Sequence, residues 1–200
     1  MIQKPINTWW LLVLCGIFDA MFALLILTLR TGVSSRNSLQ QLGGFAAAAG
    51  ACAIAAGLWN ATKHSSWLMI LNGLACSALG IMMLFAPGRR LGFRTIALLI
   101  VVMAASLGVY ALARARAIRG RVPDEWLLAG AGVLAVAFAG VFLGFGLRWI
   151  PLEASPSAQT FYWLGSYFAF SAICMLGISL GQLRPASAID RMGNDALPTA

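Results

Sequence analysis

Trp10-Leu11-Leu12-Val13-Leu14-Cys15-Gly16-Ile17-Phe18-Asp19 is the stretch on which the fold is read, because its opening returns twice further along the chain. Trp10, Trp67 and Trp126 are each followed by Leu, and each stands six residues ahead of a glycine: Gly16, Gly73 and Gly132. The chain is therefore read as three similar units, each begun by a Trp-Leu pair. Asp19 is the unrepeated feature, since the equivalent positions hold Cys76 and Ala135.

Working outward from that stretch, the whole chain is apolar. Its 200 residues are 60% hydrophobic and 10% charged, with a mean hydropathy of +0.85, whereas soluble domains are about half apolar and about a quarter charged. The unit of organisation is then the bilayer, which needs roughly 20 apolar residues per span. Six segments meet that length, approximately 9–29, 42–61, 67–86, 95–113, 126–147 and 161–183. Only a helix satisfies its own backbone hydrogen bonds in hydrocarbon without closing into a barrel, so all six are assigned as helices. Lys4 followed by an apolar run imitates a secretory leader. The run from Trp9 to Leu29 exceeds the usual leader core of about 7–15 residues, however, and no A-x-A-like site follows. It is read as a retained first span.

Residues able to cap a helix precede each Trp-led segment: Asn7 and Thr8, Ser65 and Ser66, Asp124 and Glu125. Their side-chain oxygens can accept bonds from the first free backbone N–H groups. Pro87-Gly88 closes the third segment. The second segment is mostly Gly and Ala from Gly43 to Ala53. Lipid gives helices little hydrophobic reason to associate, so small faces that let backbones approach do that work. A central place in the bundle is expected for it. By the same reasoning Gly140-x-x-x-Gly144 and Gly177-x-x-x-Gly181 are expected at helix–helix contacts within the chain, alongside Gly16, Gly73 and Gly132.

Six spans put both termini on one side. That side collects Lys4, Lys63, Arg114, Arg116, Arg119, Arg121, Arg184 and Arg191, against Arg30, Arg36, Arg89, Arg90, Arg94 and Arg148 on the other. The excess points to cytoplasmic termini. Trp10, Trp67 and Trp126 then fall at the cytoplasmic interface as anchors, where an indole meets both lipid and headgroups. The expected architecture is an all-α integral membrane domain over 1–184, six helices forming three parallel two-helix repeats about an axis along the membrane normal. Residues 185–200 read as a disordered cytoplasmic tail.

The net charge of +8 does not signal a nucleic-acid partner, because the basic residues sit singly or in short groups between apolar runs. They are topology signals, and Arg114, Arg116, Arg119 and Arg121 are candidate lipid-headgroup contacts. Cys15, Cys52, Cys76 and Cys174 all lie in apolar runs without a CxxC pair, so they are read as small buried apolar residues and no metal set is expected. His64 is the only histidine and is read as a solvated loop residue. No HExxH, GxSxG or phosphate-cradling glycine loop occurs. The sequence therefore carries no signature of an enzyme and calls for no cofactor.

Asp19 is the candidate site. Nine residues past Trp10, it lies about 13–14 Å along the helix, near the middle of a roughly 30 Å hydrocarbon core. Insertion of an acid there costs on the order of 2.5–3.5 kcal/mol, which makes such a residue functional by default. Two roles are open: a proton-responsive or substrate-facing carboxylate, or a neutral acid hydrogen-bonded to a neighbouring helix. No basic residue is placed at the same depth. Candidate polar neighbours are Asn72, Ser77, Ser106, Tyr110, Ser166, Tyr167, Ser171 and Ser179. General acid–base chemistry would want a second positioned group.

The Trp-led repeats, the six spans in three hairpins and the length resemble the HdeD-like acid-resistance membrane proteins of bacteria, across residues 9–183. Gly16-Ile17-Phe18-Asp19 is similar to a Gly-x-x-Asp element on a Trp-led helix of that family, in a different repeat. The resemblance implies a non-enzymatic, multi-pass protein of the bacterial inner membrane that supports acid or envelope stress tolerance. Its implied partners are the lipid bilayer, anionic lipids or other membrane proteins. The alternative is a small transporter or channel that uses Asp19 as a proton- or substrate-responsive site in a polar path. A water-accessible cavity at Asp19 would favour the alternative.

Overall fold

The computed structural model describes residues 9–29, 36–59, 66–85, 93–117, 125–150 and 162–180. It is all-helical there: α1 (Trp9–Leu29), α2 (Arg36–Trp59), α3 (Ser66–Phe85), α4 (Phe93–Ala117), α5 (Glu125–Gly146) and α6 (Tyr162–Leu180). Each helix is long and apolar enough to cross a membrane, which gives a multi-pass architecture. α2 starts at Arg36 rather than at residue 42, and α4 runs to Ala117 rather than 113. Hydropathy marks only the part of a helix that suits hydrocarbon. α2 carries the polar turns Arg36-Asn37-Ser38-Leu39-Gln40-Gln41 ahead of that part. α4 holds Arg114 and Arg116 in its last turn, where cations suit the helix dipole. Of the expected caps, Ser66 and Glu125 are the first residues of α3 and α5. Asn7, Thr8, Ser65 and Asp124, like Pro87-Gly88, His64 and the tail 185–200, lie outside the described residues.

Each helix buries one seam with coiled-coil spacing. At two, five, nine, twelve and sixteen residues past its Trp, α1 buries Leu12, Cys15, Asp19, Phe22 and Ile26, while α3 buries Met69, Asn72, Cys76, Leu79 and Met83. The same offsets on α5 give Leu128, Ala131, Ala135, Phe138 and Phe142, all buried or half-buried. The even helices follow with Leu42, Ala46, Ala49, Ala53 and Ala56 on α2, Ile100, Ala104, Leu107 and Ala111 on α4, and Leu164, Phe168, Ser171, Met175 and Ile178 on α6. Alternating steps of three and four keep a seam on one side of a helix that packs at a shallow angle.

Among the described residues, α1 to α5 pack in chain order, each on the next. α6 closes a ring: its Tyr167, Phe170 and Trp163 meet Phe138 and Phe142 of α5, and its Phe168 packs at a tilt against Phe22 of α1. The expectation that α2 is central is corrected. It is one stave among six, and its small residues serve a flat contact with α3, not a position on the axis.

The tightest contacts join different sequence units. A methyl placed on Gly73 would stand 2.7 Å from the carbonyl oxygen of Gly50 and 2.8 Å from the amide nitrogen of Ile54, both on α2. One on Gly132 would stand 3.1 Å from the carbonyl oxygen of Gly108 on α4, and one on Gly16 would stand 3.2 Å from that of Ala172 on α6. Each repeated glycine thus lets its odd helix press backbone to backbone on the even helix before it in the ring, with α6 standing before α1. The pairings Gly43 with Gly80 and Gly50 with Gly73 make α2 and α3 antiparallel; Gly16 with Ala172 and Gly165 with Ile26 do the same for α1 and α6.

Two of the small-residue motifs do something else. Among the described residues, no atom beyond their own stretch of helix stands within 4 Å of a Cβ position on Gly140 or Gly177, so neither makes there the helix contact expected of it. Gly181 lies outside the described residues. Gly144 is used by the end of its own helix. Arg148 adopts φ 63° and donates its N–H to Phe145 O at 3.2 Å, while Trp149 N donates to Gly144 O at 2.9 Å. This is a Schellman cap, and it folds Ile150 back to within 2.9 Å of a Cβ position on Gly144.

Gly73→Ala is therefore expected to destabilise the bundle by about 1–3 kcal/mol, because the added methyl meets backbone that cannot step aside. Gly140→Ala is expected to be neutral or slightly stabilising through helix propensity. Thermal unfolding of both variants in detergent, measured side by side, separates the two outcomes.

Candidate functional site

Asp19 sits on the inward seam of α1, two turns beyond Leu12, and is 3% exposed. The position is inward because it belongs to the same three-and-four series that buries Cys15 and Phe22. The seam of α6 brings Ser171 opposite, and its hydroxyl donates to Asp19 Oδ2 at 2.7 Å. The pair is specific to one of three equivalent places. Ser171 immediately precedes Ala172, whose carbonyl faces Gly16; the residues preceding the equivalent carbonyls of Gly50 and Gly108 are Ala49 and Leu107. Where α1 and α6 present Asp and Ser, the other two seams present Cys76 with Ala49 and Ala135 with Leu107.

Three buried oxygens have no hydrogen-bond partner among the described residues: Asp19 Oδ1, Asn72 Oδ1 and the Tyr167 hydroxyl. Asn72 stands one helical turn from Cys76 on the inward seam of α3. Tyr167 is fully buried on α6, with its ring against Phe138 and Phe142 of α5. Cys15 stands one turn before Asp19 on the seam of α1, and Cys76 holds the equivalent offset on α3. Cys76 spends its thiol proton on Ala46 O of α2 at 3.2 Å. One turn further from the Trp residues, Phe22 and Phe168 pack together with ring centroids 4.0 Å apart.

Of the polar residues weighed as neighbours, Ser171 is the partner, and Asn72 and Tyr167 share the interior. Ser106 and Ser179 return their hydroxyls to Met103 O and Leu176 O of their own helices, at 2.9 and 2.6 Å. Ser77 faces Gly50, Ser166 is exposed, and Tyr110 accepts a bond from Arg114 Nη1 at 3.3 Å. Cys15, Cys76 and Cys174 are buried, as read from the sequence, and Cys52 is half-buried.

The other site residues lie at the periphery. Trp10, Trp67 and Trp126 are 44%, 59% and 68% exposed and share one end of the ring, because the odd helices run in one direction. Arg114 is half-buried near that end and Arg116 is exposed, while Arg119 and Arg121 lie outside the described residues. A shallow groove lined by Ala55, Leu58 and Trp59 does not include Asp19. Among the described residues no three His, Cys, Asp or Glu side chains gather into a metal set. Comparisons with protein-family models, with curated proteins and with solved structures find no match.

The hydroxyl of Ser171 is the one hydrogen bond described for the Asp19 carboxyl, and replacing it leaves a buried acid without a partner. Ser171→Ala is expected to destabilise by about 1–3 kcal/mol. In a double-mutant cycle with Asp19→Asn the pair should show a coupling of about 0.5–3 kcal/mol, the range for residues in contact. Additive effects in thermal or chemical unfolding would show that the two side chains do not act as a pair.

Proposed function

We propose that this chain is a non-enzymatic protein of the bacterial inner membrane, of the HdeD-like type, which supports tolerance to acid or envelope stress through contacts with lipids or other membrane proteins. The observation that carries the reading is the Asp19–Ser171 pair, a titratable side chain built into the seam where the last helix closes onto the first. A proton gained or lost at Asp19 changes a polar tie between α1 and α6. Since every helix in a ring is braced by its neighbours, a change at one seam is carried to the outer surface that lipids and partners meet.

Two features weigh against the rival readings. A transporter or channel wants a polar path to the acid, and Asp19 is 3% exposed with an aromatic pair beside it. An enzyme wants a second group placed to exchange protons, and the one hydrogen bond described for Asp19 comes from a serine hydroxyl.

In cells lacking the native protein, Asp19→Asn at normal membrane abundance is expected to lower survival of an acid challenge relative to wild type. Equal survival of the two at equal abundance would sink the stress reading. Both termini and the exposed Trp residues are assigned to the cytoplasmic side. A reporter fused at Arg119 should read as cytoplasmic and one at Ser155 as external, and an external signal from the first would reverse the topology.

A further inference from the structure

We propose that the end of α4, where it emerges between Trp67 and Trp126, binds one anionic phospholipid, its phosphate held by Arg114 and Arg116 and the Arg114 guanidinium steadied by Tyr110. The inference names the lipid contact of the reading above and rests on that part of it; Asp19 takes no part.

The threefold framework supplies the comparison. Counted from the seam carbonyls of Gly50, Gly108 and Ala172, the sixth residue is Ala56 on α2, Arg114 on α4 and Ile178 on α6, and the eighth is Leu58, Arg116 and Leu180. Ala56 and Ile178 are buried, and Leu58 and Leu180 are exposed apolar side chains. One even helix of three therefore puts cations at two places that the framework otherwise fills with apolar groups. A topology signal is met by charge anywhere in the connection that follows, where Arg119 and Arg121 already stand. It does not call for an arginine half-buried at the register of Ala56 and Ile178.

Ring order and helix direction fix the surroundings. α4 packs on α3 and α5 and ends where they begin, so its last turn, with Arg114 and Arg116, comes out between the exposed indoles of Trp67 and Trp126. Indoles at the end of a span sit among lipid headgroups, which puts the arginines at the depth of lipid phosphates. Tyr110, one turn earlier, packs against the core and accepts a bond from Arg114 Nη1 at 3.3 Å. That bond orients the guanidinium and occupies one of its five donors. The fork that remains matches the paired oxygens of a phosphodiester. From Arg114 to Glu125 the chain carries four arginines and two acids, so pairing within that stretch leaves positive charge over. An anionic lipid neutralises it, whereas a zwitterionic lipid brings a cation of its own.

The test is native mass spectrometry of the purified full chain, released from micelles that hold phosphatidylglycerol and phosphatidylcholine in equal amounts. Wild type should retain one phosphatidylglycerol in preference to phosphatidylcholine. Arg114→Gln should lower that preference about ten-fold or more, the factor for one lost charge-assisted bond. Arg114→Lys keeps the charge without the fork and should lower it less; Tyr110→Phe should lower it with both cations still in place. Arg94→Gln, exposed at the opposite end of α4, should leave it unchanged. Both lipids compete within one sample, so a variant's own stability cancels from the ratio. Equal retention of the two lipids by wild type would overturn the inference, as would a preference that survives Arg114→Gln or falls as far in Arg94→Gln. A preference abolished by inorganic phosphate, and not by chloride at equal ionic strength, would assign the place to free phosphate and overturn the lipid. None of these results touches the acid survival of Asp19→Asn, so the two readings fall separately.

Discussion

Backbone-to-backbone contact at three glycine seams is the constraint on which the bundle depends. Inside a bilayer, apolar side chains gain nothing by leaving lipid for one another, so helices hold together where surfaces fit closely enough for dispersion and weak polar contacts to accumulate. Gly16, Gly73 and Gly132 each remove a side chain at the place where the facing helix offers a bare carbonyl, from Ala172, Gly50 and Gly108. With the approach fixed there, the positions one turn either side are obliged to face inward. The seam series that buries Asp19 follows from that geometry.

Sequence unit and packing unit are out of step in this architecture. The chain repeats as hairpins, α1 with α2, α3 with α4 and α5 with α6, yet the glycine seams pair α2 with α3, α4 with α5 and α6 with α1. Such an offset knits the repeats together: no hairpin holds both halves of a seam, so no unit is complete alone. It also explains why one polar pair can sit in a threefold framework without disturbing it. Ser171 and Asp19 stand where the other two seams have Ala49 with Cys76 and Leu107 with Ala135.

Much of this was written in the local chemistry. The six spans, the threefold Trp-Leu pattern and the standing of Asp19 were all legible, because hydropathy, spacing and the cost of a buried acid are properties of single segments. What could not be read were relations between segments. A Gly-x-x-x-Gly spacing presents a smooth face and says nothing about whether a helix lies against it: Gly140 and Gly177 are open, and Gly144 received Ile150 through a helix cap instead. Ser171 stood among several serines of similar surroundings, and only the register of α6 against α1 separates it from Ser106 and Ser179, which satisfy themselves within their own helices. The Phe22–Phe168 pair was hidden for the same reason, its members lying at opposite ends of the chain.

Ring closure also has an order in time. The α2–α3 and α4–α5 seams join helices that are neighbours in the chain, and each is available as soon as the second of the two has left the translocation machinery. The first helix packs on α2, but the partner of its glycine seam is not its neighbour in the chain. Gly16 waits for Ala172, and Asp19 crosses into hydrocarbon long before the hydroxyl of Ser171 has been synthesised. During that interval α1 carries an acid with no native partner, so the helix most burdened by a polar group is also the one that waits longest in biogenesis.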